Sequence, residues 1–350
     1  FEPIGNSHAT SPGLPGLHLH RPFINAPIAV ATLRRLPRQA NVDPHPGTVA
    51  SCSGRTRARL GGRPAKARIY YTLEQSARYC AVDTERPTPL VEDTETTRRK
   101  LESWLSRQRG KQVHIPALTI PESSGMSNVT LLFEAQWQEG NETHSEPCVG
   151  RLQPQVARPA FPSYDLGLQY EVMASIGRHS DIPVPGLLGL ELDRSLLGVQ
   201  FYVMKRTSGR IPPDMPPYNM DGWMLHETTE QQRAAIWRAA VEVMGKIHLL
   251  DYKTLGFGHL EGAGGTALQR QLNYWQDYLA WAMEGSGHTI CQAALDWLQA
   301  RQPAEEPTVL CWGDSRIGNI IFRESLDGVA AVLDWEMAVL GNPVQDLAWF

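Results

Sequence analysis

Between residues 94 and 108 apolar positions recur at helical spacing: Leu101, Trp104 and Leu105 share one side while charges fill the rest, which predicts an amphipathic helix. The pattern then shifts. SSGMSNVTLLFEAQW is a Gly/Ser turn feeding a β-branched and apolar strand, QEGNETHSEP is a polar turn, and CVGRLQ is a short return strand, as in a hairpin. Residues 164–177, YDLGLQYEVMASIG, carry Leu168, Val172 and Ile176 on one side of a second helix, which Pro183 and Pro185 end. VQFYVMKRT, residues 199–207, is a further strand. The pattern up to Thr207 therefore predicts a strand–strand–helix–strand lobe.

From Thr228 onward long helices take over. TTEQQRAAIWRAAVEVMGKIHLLD spaces Ile236, Ala240, Val243 and Ile247 along one face, with Thr228 or Thr229 as N-cap before Glu230. ALQRQLNYWQDYLAWAMEG and CQAALDWLQARQ read as two more helices with Leu/Trp faces. TVLCWGD and NIIFRE…GVAAVLDWE then read as a hairpin of two strands carrying unusual polar residues. A small mixed lobe followed by a helical one, with polar loops on the latter, suits a ligand held between lobes.

Composition adds limits. The 350 residues, 42% hydrophobic and 20% charged, fit a globular protein with a real core. A net charge of −4 gives no reason to expect a nucleic-acid partner or an anionic membrane, and no apolar run is long enough to span a bilayer. Five cysteines, Cys52, Cys80, Cys148, Cys291 and Cys311, never occur as CxxC, which argues against a disulfide framework and for a reducing compartment, taken as cytoplasmic. The charge is uneven. Residues 1–90 hold twelve Lys and Arg against five Asp and Glu, +7, which leaves −11 for the remainder. That segment is rich in Pro, Gly and Arg without sustained periodicity, so it is expected to be a poorly ordered extension or a translated non-coding stretch; a targeting segment or basic arm is the alternative. The chain begins at Phe1 rather than Met, so a fragment is expected.

Three polar side chains stand out because strands avoid Asp and Asn. Asp314 and Asn319 lie five apart in CWGDSRIGNIIF, and Asp334 follows fifteen later in VLDWE. Phosphoryl transfer from ATP needs one carboxylate to accept a hydroxyl proton, and an amide and a carboxylate to hold Mg²⁺ against the phosphates. The spacing lets a loop present Asp314 as base, with Asn319 and Asp334 as Mg²⁺ ligands. Gly313 and Gly318 would permit the tight loop turns.

GDSRIGNIIF…LDWEMAVLGNPVQDLAW resembles the catalytic and metal loops of the aminoglycoside phosphotransferase-like (choline kinase-type) kinases. More closely, it is similar to the kinase domains of acyl-CoA dehydrogenase family members ten and eleven. The resemblance runs from about Ser123 to Phe350 through SGMSNVTLLF, LLGVQFYVMKRTSGR, GFGHL and LQRQLNYW. It implies an α+β, protein kinase-like two-lobed fold with a small β-rich N-lobe and a helical C-lobe. The leading helix and N-lobe would occupy residues 91–208 and the C-lobe residues 209–350, truncated at its C-terminal end because further helices normally follow.

The resemblance also distributes roles. Ser124, Gly125, Ser127 and Asn128 fall in the nucleotide-covering loop; Arg151 takes the slot of a phosphate-binding lysine, with Glu171 placed to pair with it; Met204, Lys205 and Arg206 fall in the hinge that reads adenine. Asp346 is implied to stabilise the loop or the following helix, and His248 is expected to be a packed, hydrogen-bonded histidine. Trp312 stands two residues before the base, where kinase families often have His, and an indole is expected to pack the loop without repeating a histidine's hydrogen bonds. The implied activity is ATP- and Mg²⁺-dependent phosphorylation of a small-molecule hydroxyl, such as a hydroxyacyl-CoA, by a domain fused to or cooperating with an acyl-CoA dehydrogenase. That partner leaves a mitochondrial or peroxisomal setting open beside the cytoplasmic one. The alternative is an inactive pseudokinase that binds a nucleotide or a partner.

Overall fold

The computed structural model describes residues 93–121, 127–156 and 159–350. The expectations for residues 1–90, and for Ser124 and Gly125, lie outside the described residues.

The first helix, α1 (Thr94–Arg109), starts where the Asp93 side chain accepts from Glu95 N and ends at Gly110, φ 64°. Its inward face is Thr97, Leu101, Trp104 and Leu105. Two strands of two residues follow, β1 (Val113–His114) and β2 (Leu118–Thr119). Then comes a long hairpin, β3 (Val129–Glu139) and β4 (Glu142–Leu152), paired along its whole length. The polar stretch expected as a turn is mostly strand. Only Gly140 and Asn141 turn, because Glu139 pairs directly with Glu142 and Gly140 supplies a φ of 62°. Backbone pairing is indifferent to side-chain polarity at the solvated end of such a ribbon.

Helix α2 (Leu166–His179) and strands β5 (Leu187–Glu191) and β6 (Phe201–Lys205) complete a six-stranded antiparallel sheet. The order is β1-β3-β4-β6-β5, with β2 also on β3. β1, β2 and β5 went unpredicted because two to five residues carry too little periodicity. One sheet face buries Leu131, Phe133, Phe201 and Val203 against α1. The other presents Tyr202 and Met204 to α2, and that core continues into the helical region.

Beyond β6 come a short helix α3 (Trp223–His226) and the long α4 (Glu230–His248). Of the two candidate caps, Thr229 forms a reciprocal capping box with Gln232. Ile236, Val243 and Ile247 of α4 are buried, each contributing about 1.5–3 kcal/mol. Helices α5 (Ala267–Ala282) and α6 (Thr289–Gln299) follow; α6 buries no residue, and Trp297 is 56% exposed.

The expected two-strand hairpin is instead two nested pairs. β7 (Val309–Cys311) pairs with β10 (Val339–Gly341), while β8 (Ile320–Phe322) pairs with β9 (Val329–Val332). The chain closes with α7 (Val344–Trp349). The nesting brings the loop after β7 and the loop after β9 together, because each loop joins an outer strand to an inner one. Among the described residues no helix is long and apolar enough to cross a membrane.

Candidate active site

Asp314 follows β7 and is 7% exposed. Four side-chain donors reach its carboxylate: Arg316 Nε on Oδ1 and Nη2 on Oδ2, both at 2.9 Å, Asn319 Nδ2 on Oδ2 at 2.7 Å, and Trp349 Nε1 on Oδ1 at 2.8 Å. Asn319 Nδ2 also donates to the Asp314 carbonyl, at 3.0 Å. With its amide nitrogen so committed, Asn319 presents its remaining polar atom, Oδ1, as an acceptor. Gly313 has φ +90°, and a Cβ there would lie 2.1 Å from Met337 O, so only glycine fits. Gly318 differs from expectation: its φ is ordinary, and what it permits is close approach, since a Cβ would meet Asp214 Oδ1 at 2.7 Å.

Asp334, after β9, sits at φ 61°, a left-handed conformation that few non-glycine residues adopt. Two hydrogen bonds tie its loop to the Asp314 loop: Leu333 N to Asn319 O at 2.9 Å, and Trp312 Nε1 to Leu333 O at 2.8 Å. The second adds to the expectation for Trp312: besides packing behind the loop, its indole N–H spans the gap to the loop that carries Asp334. Burial raises the Asp334 carboxyl above its ordinary range; Arg151 pulls it back, and Asp314 adds to the rise.

Asp346, on α7, is fully buried and organises the loop from behind. Its carboxylate accepts from Trp312 N and Gly313 N, both at 2.8 Å, and contacts His248 Nε2 at 2.7 Å. Ser315 Oγ donates to its carbonyl. Asp346 thus holds the backbone that presents Asp314, and His248 is a hydrogen-bonded partner behind the loop.

From the sheet, β4 delivers Arg151, which donates to Thr130 Oγ1 at 3.0 Å and reaches Asp334 Oδ1 at 3.4 Å. The anticipated Glu171 pairing is not formed. α2 turns Glu171 to solvent and Gln169 inward, where it accepts from Tyr202 at 3.4 Å, so the partner of Arg151 comes from the opposite lobe. The hinge also needs revision. Met204 is buried in β6, and Lys205 N and Arg206 N donate internally to Gly186 O and Pro147 O. Those two amides are therefore spent on the sheet, and Lys205 Nζ pairs with Glu146.

Glu336 was not singled out from sequence. Asn128 Nδ2 donates to its Oε2 at 2.8 Å, and Ser127 also hydrogen-bonds it. Burial first, and Asp334 second, push its carboxyl up to about 7. Asn128 Oδ1 is buried without a partner. The second acid of the VLDWE stretch, two residues past Asp334, was the available signal. Ser127, Asn128, Arg151, Asp314, Asn319, Asp334 and Glu336 thus form one linked cluster, while Glu171 stands outside it.

The chain matches known proteins in sequence and in fold. The model of the phosphotransferase enzyme family (APH) matches residues 155–350, more than half the chain. The probable acyl-CoA dehydrogenase IBR3 of Arabidopsis thaliana is 30% identical over 234 residues, 64% of this chain and 26% of that one. Human acyl-CoA dehydrogenase family member 11 is 34% identical over 172 residues, 48% of this chain and 20% of that protein. The chain therefore spans about a quarter of the length of these relatives. A Ralstonia eutropha JMP134 structure assigned to the aminoglycoside phosphotransferases superposes with a TM-score of 0.50 at 28% identity, covering 71% of this chain and 67% of that one. With this match and the kinase-like arrangement of sheet, helices and paired loops, the chain belongs to the phosphotransferase enzyme family.

Proposed function

We propose that the protein transfers the γ-phosphoryl group of ATP, with Mg²⁺, to a hydroxyl of a small molecule. The observation that carries this reading is the union of two carboxylates on adjacent loops, Asp314 and Asp334, joined by Asn319 through its side chain on one and its backbone on the other. Asp314 is held by Asp346 from behind and accepts the acceptor's proton as its oxygen bonds to phosphorus. Arg151 reaches the cleft from β4 and serves as a phosphate clamp, for which a forked guanidinium is suited.

The donor set suits Mg²⁺. Asn319 Oδ1, the Asp334 carboxylate and, beside it, Glu336 are all hard oxygen donors, and the buried unpartnered Asn128 Oδ1 adds negative potential at the same place. The ion, when bound, neutralises charge on the β- and γ-phosphates. Because Lys205 and Arg206 amides are committed to the sheet, Thr207 is the first residue past β6 that can offer adenine a backbone N–H. The relatives are named acyl-CoA dehydrogenases, and a phosphoryl acceptor needs a hydroxyl, so the acceptor proposed is a hydroxyacyl thioester, such as a 4-hydroxyacyl-CoA, handled in cooperation with an acyl-CoA dehydrogenase. The Trp312–Leu333 bond and the full Asp314, Asn319, Asp334 set favour catalysis over a purely binding role.

Asp334→Asn should abolish Mg²⁺-dependent ATP turnover, in a screen of hydroxy acids, their CoA esters, aminoglycosides and amino alcohols, while leaving far-UV circular dichroism unchanged. Turnover at the wild-type rate would overturn the metal assignment.

A further inference from the structure

Arg316 has no task in the mechanism above, yet its guanidinium is hydrogen-bonded to the Asp314 carboxylate. The inner edge of its guanidinium forks onto Asp314 through Nε and Nη2. Its outer nitrogen, Nη1, donates to Asp214 Oδ2 at 2.5 Å. Asp314 is buried, whereas the side chains of Arg316 and Asp214 are 41% and 51% exposed, so one edge is fixed and the other opens to solvent. Asp314 first, with Asp214 and Asp334 adding to it, holds the guanidinium charge more firmly than usual, and the fork places the group directly beside the base. A phosphoryl group passing from nucleotide to acceptor must cross that ground.

Asp214 belongs to a segment after β6 that lies on the catalytic loop, its Oδ1 2.7 Å from where a Cβ at position 318 would stand. Trp223 Nε1 on Ile211 O and Arg210 on Glu227 hold the rest of this segment. An exposed carboxylate–guanidinium pair is weak and screened by salt. A phosphoryl group carries more charge and fits the same fork, so it displaces such a carboxylate.

We propose that Arg316 is a second phosphate-binding arginine, and that Asp214 fills its outer edge in place of the γ-phosphoryl group until nucleotide binds. This rests on the phosphotransfer reading. As the acceptor oxygen bonds to the γ-phosphorus, the bond to the β–γ bridging oxygen breaks and its electron pair leaves on ADP. The acceptor's proton passes to Asp314, and Arg316 meets the charge on the oxygens of the moving group.

Isothermal titration of the wild type, Asp214→Asn, Arg316→Gln and Arg316→Lys with Mg²⁺·AMP-PNP and with Mg²⁺·ADP tests this without any acceptor. Arg316→Gln should weaken AMP-PNP about tenfold or more, the loss expected for charged hydrogen bonds, and leave ADP within about twofold. Arg316→Lys should fall between, because a lysine keeps the charge and loses the fork. Asp214→Asn should tighten AMP-PNP about two- to fivefold, by removing a weak competitor, with ADP unchanged. Equal shifts for both nucleotides, or weaker AMP-PNP binding by Asp214→Asn, would overturn the assignment of Arg316 and Asp214 alone. A wild-type chain that binds neither nucleotide would sink the phosphotransfer reading itself.

Discussion

Replacing Asp346 by alanine isolates the support behind the catalytic loop. The carboxylate is fully buried and accepts from Trp312 N and Gly313 N at 2.8 Å, with His248 Nε2 at 2.7 Å. Asp346→Ala leaves two buried backbone N–H groups and a largely buried imidazole without their partner. Each orphaned buried group costs about 1–3 kcal/mol, and breaking a buried charged network costs about 3–5 kcal/mol, so a loss of about 3–5 kcal/mol is expected. That is a large part of the about 5–15 kcal/mol that holds an ordinary domain together. Trp312→Phe is the internal comparison: it removes one neutral hydrogen bond, to Leu333 O, and part of a fully buried ring, and should cost about 2 kcal/mol. Urea unfolding followed by tryptophan fluorescence and by circular dichroism would compare the three proteins. If Asp346→Ala proved no less stable than Trp312→Phe, the carboxylate would not be holding the loop and the argument would fail.

Gly313→Ala should be more damaging than its size suggests. The new methyl meets a backbone carbonyl at 2.1 Å and sits at φ +90°; overpacking and strain together should cost about 2–4 kcal/mol in the same urea assay. Glu336 sets a pH dependence in chelator-treated protein. Its carboxyl titrates near 7 when folded against 4.5 ordinarily, so between those values the folded state binds more protons and stability falls as pH rises. Glu336→Gln should flatten that slope; an unchanged slope would remove Glu336 as its source. Burial pushes the Cys148 thiol up to about 11 and the Cys311 thiol higher still, whereas Cys291 is exposed. Among the described residues, iodoacetamide at pH 8 should therefore label Cys291 and spare Cys148 and Cys311, as read by peptide mass mapping.

The helices α1, α2 and α4 were legible in the chain because a buried face writes itself into neighbouring turns: Leu101, Trp104 and Leu105, or Ile236, Ala240, Val243 and Ile247, are local patterns. Asp314, Asn319 and Asp334 were legible for a similar reason, since their spacing is short and their residue types are out of place in strands. What stayed hidden were the partners. Arg151 faces Asp334 from 183 positions away, and Asn128 meets Glu336 across 208. The nested pairing of β7 with β10 around β8 and β9 is likewise a matter of which strand edge meets which, and several pairings satisfy the same apolar letters. Periodicity records how one element buries its own face. Which carboxylate neutralises which arginine, which amides the sheet has already used and which indole reaches a distant carbonyl are fixed by distances of a few ångströms between remote segments, and only the folded chain sets those.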